Sequence, residues 1–187
     1  RWSTNDNLKL VSDDTYLEDF GADLNVTSTR NLERRGDVRY RGDNWSLLGR
    51  LQGFQTVDRS IAPEDRPYNR LPQVLYVYDR GNLWQGIDVR LEAENVYFDH
   101  SDKVHGDRLA IRPSVSLPLR RPYGHLIPKA TLNHASYWLD DQGLGNPDSP
   151  NLTVPTLSLD GSLVFERSHG WLGDDATQTL EPRLYYL

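Results

Sequence analysis

Residues 87–94 read Ile87, Asp88, Val89, Arg90, Leu91, Glu92, Ala93 and Glu94, apolar at every odd position and charged at every even one. Successive side chains of a β-strand point to opposite faces, so this run describes a strand with one oily face and one wet face. The same alternation, less regular, recurs in roughly eight other segments, with almost no helical spacing between them. The chain is therefore expected to be all-β, a succession of antiparallel strands. What it does depends on whether the oily faces meet one another or meet lipid.

Composition bears on that choice. Of 187 residues, 37% are hydrophobic and 26% are charged. The apolar share falls below the roughly 45–50% usual in globular domains. A soluble sandwich of this size needs a thicker core, whereas a wide barrel with a solvated interior does not. No apolar run approaches the roughly 18 residues of a membrane-crossing helix. Barrel strands, at about 10 alternating residues each, need no such run. The sequence starts at Arg1 without a basic, apolar leader and stops at Leu187 inside a strand-like stretch, so it reads as an internal fragment. Cysteine is absent, which removes disulfides, thiol nucleophiles and Cys-based metal sites. A net charge of -6, with 21 basic residues interspersed among 27 acidic ones, argues against nucleic acid as a partner.

Strands are expected over residues 1–11, 32–41, 45–57, 70–79, 83–100, 109–119, 123–139, 154–167 and 177–187. Helix-like spacing is confined to 13–20, where Tyr16, Leu17 and Phe20 recur. Short turns are predicted at Gly42-Asp43-Asn44, Arg80-Gly81-Asn82 and Arg120-Arg121-Pro122, and longer loops near 62, 103, 146 and 171. Short turns on one rim and long loops on the other, hairpin after hairpin, is the layout of outer-membrane barrels. The expected fold is an antiparallel up-and-down transmembrane β-barrel, of which this chain supplies about nine strands as part of one barrel domain. Trp2, Trp45, Trp84, Tyr97, Phe98, Tyr137, Trp138, Trp171, Tyr185 and Tyr186 collect near strand ends, as interfacial girdles would. Pro72, Pro113, Pro118, Pro128, Pro155 and Pro182 lie in or beside strand-like runs and are expected at bulges or strand ends.

Catalytic patterns are missing. His100, His105, His125, His134 and His169 do not fall at metal-ligand spacing, and there is no HExxH, GxSxG, phosphate loop or GxGxxG. Asp13-Asp14, Asp140-Asp141 and Asp174-Asp175 are expected to be solvated loop charges. The acceptor-like triplets starting at Asn25, Asn44 and Asn151 are short enough to arise by chance. No catalytic, cofactor-binding or metal-binding residue is assigned. Asp88, Arg90, Glu92 and Glu94 are expected to face a wet lumen, and Ile87, Val89 and Leu91 to face lipid.

Six motifs, in order, add a family resemblance. They are SDDTYLEDF at 12–20, RLQGFQT at 50–56, PYNRLPQ at 67–73, RPSVSLPL at 112–119, LVFER at 163–167 and QTLEPRLYYL at 178–187. They span nearly the whole chain, and RLPQ and QTLEPR are the most specific. Through them the chain resembles the C-terminal barrel domain of LptD, the lipopolysaccharide-assembly (organic-solvent-tolerance) family of Gram-negative outer membranes. The resemblance implies a large barrel enclosing an LptE-type plug lipoprotein. It also implies a periplasmic N-terminal domain, absent here, that receives lipopolysaccharide from the Lpt bridge, and a lateral exit between first and last strands. This chain looks like the middle third of that barrel, without the gate strands and without the family's cysteines. It would supply wall, lumen lining and plug contacts in the bacterial outer membrane, with lipopolysaccharide and membrane lipid as its other partners and no covalent chemistry. Two rivals share some of the features: a porin-like channel, and a soluble carbohydrate-binding or hydrolytic β-protein with Trp and paired acids at a sugar site.

Overall fold

The computed structural model describes residues 1–11, 30–141, 143, 145–169 and 176–187. The helix-like spacing and motif at 12–20, Asn25, Trp171 and the Asp174-Asp175 pair lie outside them. The described residues form twelve strands: β1 (Trp2–Leu8), β2 (Asn31–Arg41), β3 (Trp45–Thr56), β4 (Asn69–Trp84), β5 (Ile87–Asp99), β6 (His105–Ser116), β7 (Leu119–Arg121), β8 (Gly124–Asp140), β9 (Asn151–Leu163), β10 (Phe165–His169), β11 (Ala176–Leu180) and β12 (Arg183–Tyr186). A single 3-10 turn, Pro63–Asp65, is the one helical element among them. Among the described residues no helix is long and apolar enough to cross a membrane, which says nothing about strands.

Ten strands make one sheet in the order β1-β2-β3-β4-β5-β6-β8-β9-β12, with β7 also paired to β8. Apart from the short β7 and the β10–β11 pair, sequence neighbours are sheet neighbours, so the architecture is all-β, antiparallel and up-and-down, as the hairpin pattern predicts. The order is open among the described residues, with β1 at one end and β12 at the other. The remaining pair, β10 and β11, forms a two-stranded sheet of its own.

Local chemistry sets the turns. Gly42-Asp43-Asn44 closes the β2–β3 hairpin as expected, with the Gly42 N–H donating to the Trp45 carbonyl at 2.8 Å. The turn expected at Arg80-Gly81-Asn82 is not one: β4 runs through these residues to Trp84, and the chain reverses at Gln85-Gly86. Both turn residues have positive φ, 49° and 87°, the pairing that matches the twist of a two-residue hairpin. Asn82, at φ 52°, is a left-handed kink inside β4. The Asp88 carboxylate accepts its N–H at 2.8 Å, and its own Oδ1 accepts the Gly86 N–H at 3.0 Å. The turn-like composition was real, but it encodes a kink that precedes the hairpin turn. Of the prolines, Pro72, Pro113, Pro128 and Pro155 sit inside strands, and Pro118 and Pro182 sit at breaks between them.

The chain divides into two compact units. The first holds residues 1–77, 92–111 and 134–152. Its buried apolar residues are Leu32, Leu48, Val57 and Val96, and these are the only buried apolar side chains among the described residues. The second holds residues 78–91, 112–133 and 153–187. Its large apolar side chains stand in the open: Trp84, Leu157 and Leu184 are 65%, 72% and 69% exposed. Hydrophobic burial drives the folding of water-soluble domains, and a sheet with so small a core and so much exposed leucine lacks that drive.

Strand direction alternates along the sheet, so connections alternate between its two ends. In the second unit the turns 85–86 and 122–123 and the connection 164–182 therefore share one end. The segment near 171 was expected on the long-loop rim because of its length. Strand parity places its connection with the short turns instead, and β10 and β11 turn much of it into paired strand.

Candidate functional site

The most developed polar face is in the first unit. β1 pairs with β2 through Trp2↔Tyr40 to Leu8↔Arg34, and β2 with β3 through Asn31↔Thr56 to Arg41↔Ser46. That register places Asn7, Glu33, Arg35, Asp37, Arg50 and Gln52 on one face. Arg50 donates to both Asp37 oxygens, from Nε at 2.7 Å and from the other nitrogen at 3.0 Å. The Glu33 carboxylate accepts from Gln52 Nε2 at 2.7 Å and from Asn7 Nδ2 at 3.1 Å. Arg35 lies 3.6 Å from both Glu33 and Asp37. The result is a polar network across three strands, with charge alternating along β2, worth more than isolated surface pairs because Asp37 is buried.

The opposite face of the same strands carries an aromatic row. Trp2 meets Tyr40 edge-on at 4.8 Å between ring centroids, Tyr40 meets Trp45 at 4.7 Å, and Trp45 meets Tyr76 at 6.1 Å. Four neighbouring strands thus present four rings at one level, next to the Gly42 turn. Of these, Trp2 and Trp45 were picked out from the sequence. Tyr40 and Tyr76 were missed, because only the register reveals that they share the level.

The alternating run 87–94 falls at the start of β5, and period-two geometry puts Asp88, Arg90, Glu92 and Glu94 on one face and Ile87, Val89 and Leu91 on the other. Arg90 Nη1 donates to Asp79 of β4 at 2.5 Å. Glu94 accepts from Gln73 of β4 at 2.5 Å and from Arg108 of β6, whose guanidinium lies 5.3 Å from the Phe98 ring centroid. Farther along, the charged set gives way to Val96, which is fully buried, and Phe98. On β6 the same alternation holds, with Arg108, Arg112 and Ser114 on one parity and Leu109, Ile111 and Val115 on the other. Gln52 Oε1, Gln73 Oε1 and Arg108 Nε are buried without a hydrogen-bond partner among the described residues. In the second unit, Arg183 of β12 grips Asp160 of β9 through two bonds at 2.8 Å. His125 Nδ1 lies 2.7 Å from the Ser162 hydroxyl.

Two connections of the first unit are clasped together. Tyr68 donates its hydroxyl to the Val104 carbonyl at 2.7 Å and packs 4.9 Å from His100. The buried His100 accepts the Asp102 N–H through Nδ1 at 3.0 Å, and its Nε2 sits 3.1 Å from the Arg66 carbonyl. In the preceding loop, the Asp58 carboxylate accepts the Ser60 hydroxyl at 2.6 Å and the Ser60 N–H at 2.8 Å, with Arg30 at 3.6 Å. These donors hold the Asp58 carboxyl below the usual carboxylate range. No group of three or more His, Cys, Asp or Glu suited to a metal ion occurs among the described residues.

This sheet, polar on one side and apolar on the other, can be set beside known families. The family model for LPS transport system D matches residues 1–187, the entire chain. The chain belongs to the LptD family. Among curated LptD relatives, the LPS-assembly protein LptD of Nitrosococcus oceani is 44% identical over 189 residues, covering 100% of this chain and 26% of that protein. The LptD of Alcanivorax borkumensis is 38% identical, over 99% of this chain and 25% of the relative. That of Hahella chejuensis is 36% identical, over 100% and 24%. The chain therefore spans about a quarter of the length of the LptD proteins it matches.

Proposed function

We propose that these strands are wall of an outer-membrane barrel that carries lipopolysaccharide to the outer leaflet, within a single barrel domain of a longer polypeptide. The observation that carries this reading is the family match along the whole chain. The two-faced sheet supports it, because four buried apolar side chains among the described residues make a thin core, and an apolar cover on the outer side would account for the exposed leucines. Ile87, Val89 and Leu91 then face lipid. Asp88, Arg90, Glu92 and Glu94 face a hydrated interior. The aromatic row of Trp2, Tyr40, Trp45 and Tyr76 marks one membrane interface.

The substrate is an amphiphile, so the wall's task is a path: a wet lining for the saccharide and an oily exterior for the acyl chains. No bond is made or broken along it. The partners that follow are lipopolysaccharide, outer-membrane lipid, an LptE-type plug lipoprotein against the inner face, and the periplasmic Lpt bridge through a domain outside these residues. The test is made on the full-length protein. It should fractionate with outer membranes, migrate faster unheated than heated in mild detergent, and on depletion leave newly made lipopolysaccharide off the cell surface. Normal surface lipopolysaccharide after depletion would overturn the reading.

A further inference from the structure

The second unit carries a groove of about 470 Å³ on its apolar face, with Leu117, Pro128, Ala130, Leu157, Leu159 and Tyr186 in its lining. Its origin is a difference in side-chain reach. β8 lies between β6 and β9. Pro128 and Ala130 of β8 are short, whereas Leu117 after β6 and Leu157 and Leu159 of β9 stand farther from the sheet. Ser116, Lys129 and Ser158 also border the groove, but they alternate with the apolar residues, so their side chains belong to the other face.

Register shows what lies beside the groove. The Leu117 N–H donates to the Pro128 carbonyl at 3.1 Å, Leu119 faces Leu126, and Arg121 faces Gly124. Residues directly opposite in an antiparallel pair share a face, so Leu119, Leu126 and Arg121 lie on the groove's side of the sheet. Leu119 and Leu126 are both exposed, and they carry the apolar surface from the groove toward the 122–123 turn. Arg121 then ends it, opposite a glycine that has no side chain to cover it. Four residues of strand separate Pro128 from Gly124, about 13 Å. The exposed Arg121 guanidinium donates once to the Arg120 carbonyl at 2.9 Å, and a guanidinium has five N–H donors. Exposed aromatics stand at the same end, Trp84 beside the 85–86 reversal and Tyr123 in the 122–123 turn. Aromatic rings and cations at the end of an apolar band are the composition of a bilayer's headgroup level.

We propose that this track seats one anionic glycerophospholipid, its phosphate on Arg121 and an acyl chain laid over Leu119 and Leu126 into the groove. Charge complementarity selects the occupant: a hydrocarbon trough that ends on a cation suits a chain that ends on an anion. Length agrees, since a chain filling half of a hydrocarbon core of about 30 Å reaches about 15 Å. The leaflet agrees too. Short turns of outer-membrane barrels are periplasmic, so Arg121 meets the leaflet opposite the one that receives lipopolysaccharide. The inference rests on the barrel reading, which sets this face against lipid, and adds to it a seat for one lipid class.

The experiment uses the full-length protein in nanodiscs of equal parts phosphatidylglycerol and phosphatidylcholine. A photo-crosslinking residue replaces Leu126, and the captured lipids are counted by mass spectrometry. Phosphatidylglycerol is expected to exceed phosphatidylcholine by about 5-fold, the worth of one Arg near an anionic surface. Arg121→Gln is expected to bring the ratio close to one. Ala130→Trp, which fills the groove, is expected to lower it as well. Arg120→Gln, on the opposite face, is expected to leave it unchanged. An even ratio in the unsubstituted protein overturns the proposal, because it describes ordinary surrounding lipid. So does an enrichment that survives Arg121→Gln or Ala130→Trp, or one that Arg120→Gln removes. A crosslink to protein, or to lipopolysaccharide carried through purification, overturns it too. Failure of the barrel reading would register separately, as a protein that neither fractionates with outer membranes nor shifts on heating.

Discussion

Asp37 and Arg50 stand directly opposite each other in the β2–β3 ladder, and the guanidinium fork meets both carboxylate oxygens at 2.7 and 3.0 Å. Asp37 is 7% exposed, so the charge is held by its partner more than by water. Arg50→Ala strips the buried carboxylate of two hydrogen bonds and leaves it the longer contact with Arg35 at 3.6 Å, and Asp37→Ala removes the partner of the guanidinium fork. Each is expected to lower stability, and the double variant is expected to cost less than the two singles added. The coupling should be about 1.5–3 kcal/mol. Urea unfolding of the full-length barrel in lipid vesicles measures it, and additive losses would show that the pair is not coupled.

The face assignment of β5 is tested by neighbours. Leu91→Arg puts a charge on the side read as lipid-facing and should cost roughly 2–4 kcal/mol near mid-membrane. Glu92→Gln, one residue on and on the opposite face, should cost less than about 1 kcal/mol. Heat-modifiability and unfolding midpoints report both. Equal losses at the two positions would sink the assignment.

Gly124 has φ 153°, and a Cβ there would run into the Ser162 carbonyl oxygen of β9. Gly124→Ala is therefore expected to destabilise by roughly 1–3 kcal/mol, through backbone strain and a widened β8–β9 contact. Gly49→Ala serves as the control, since its new methyl group would first meet Val38 O at 4.0 Å. The control should shift stability by about 0.5 kcal/mol or less. The yield of folded, heat-modifiable barrel separates the two.

The Ser60 hydroxyl and N–H, with Arg30 nearby, stabilise the charged form of Asp58. The folded pKa lies below the unfolded one, so this contribution is fully present above the unfolded carboxylate value of about 4. It is lost as pH falls through the lowered folded pKa. A carboxyl-carbon NMR titration of Asp58 should show a depressed midpoint, and Ser60→Ala should return that midpoint toward the ordinary value. An unchanged midpoint in Ser60→Ala would refute the cause.

Alternation in 87–94 revealed the strand and divided its residues between two faces before any coordinates, because a period of two is a local property of extended backbone. The β2–β3 turn at Gly42-Asp43-Asn44 was equally local. At 80–82 local reasoning went astray: Gly81-Asn82 looks like a turn, and the chain uses it as a kink before the tighter Gln85-Gly86 reversal. The aromatic row shows the other limit. Tyr40 and Tyr76 belong to it only because separate strands are staggered to bring their rings level, and stagger is a relation between segments.

The amino-acid order by itself determined the all-β character, the two-faced strands and the family, since each is written in residues close together. The tertiary structure alone decided which charges meet, as Glu94 does Gln73 and Arg108, and at which end of the sheet the connection 164–182 emerges. Loop length suggested the wrong end. The physical reason is that strand direction and register accumulate through every preceding pairing, so the address of a late hairpin depends on all the hairpins before it.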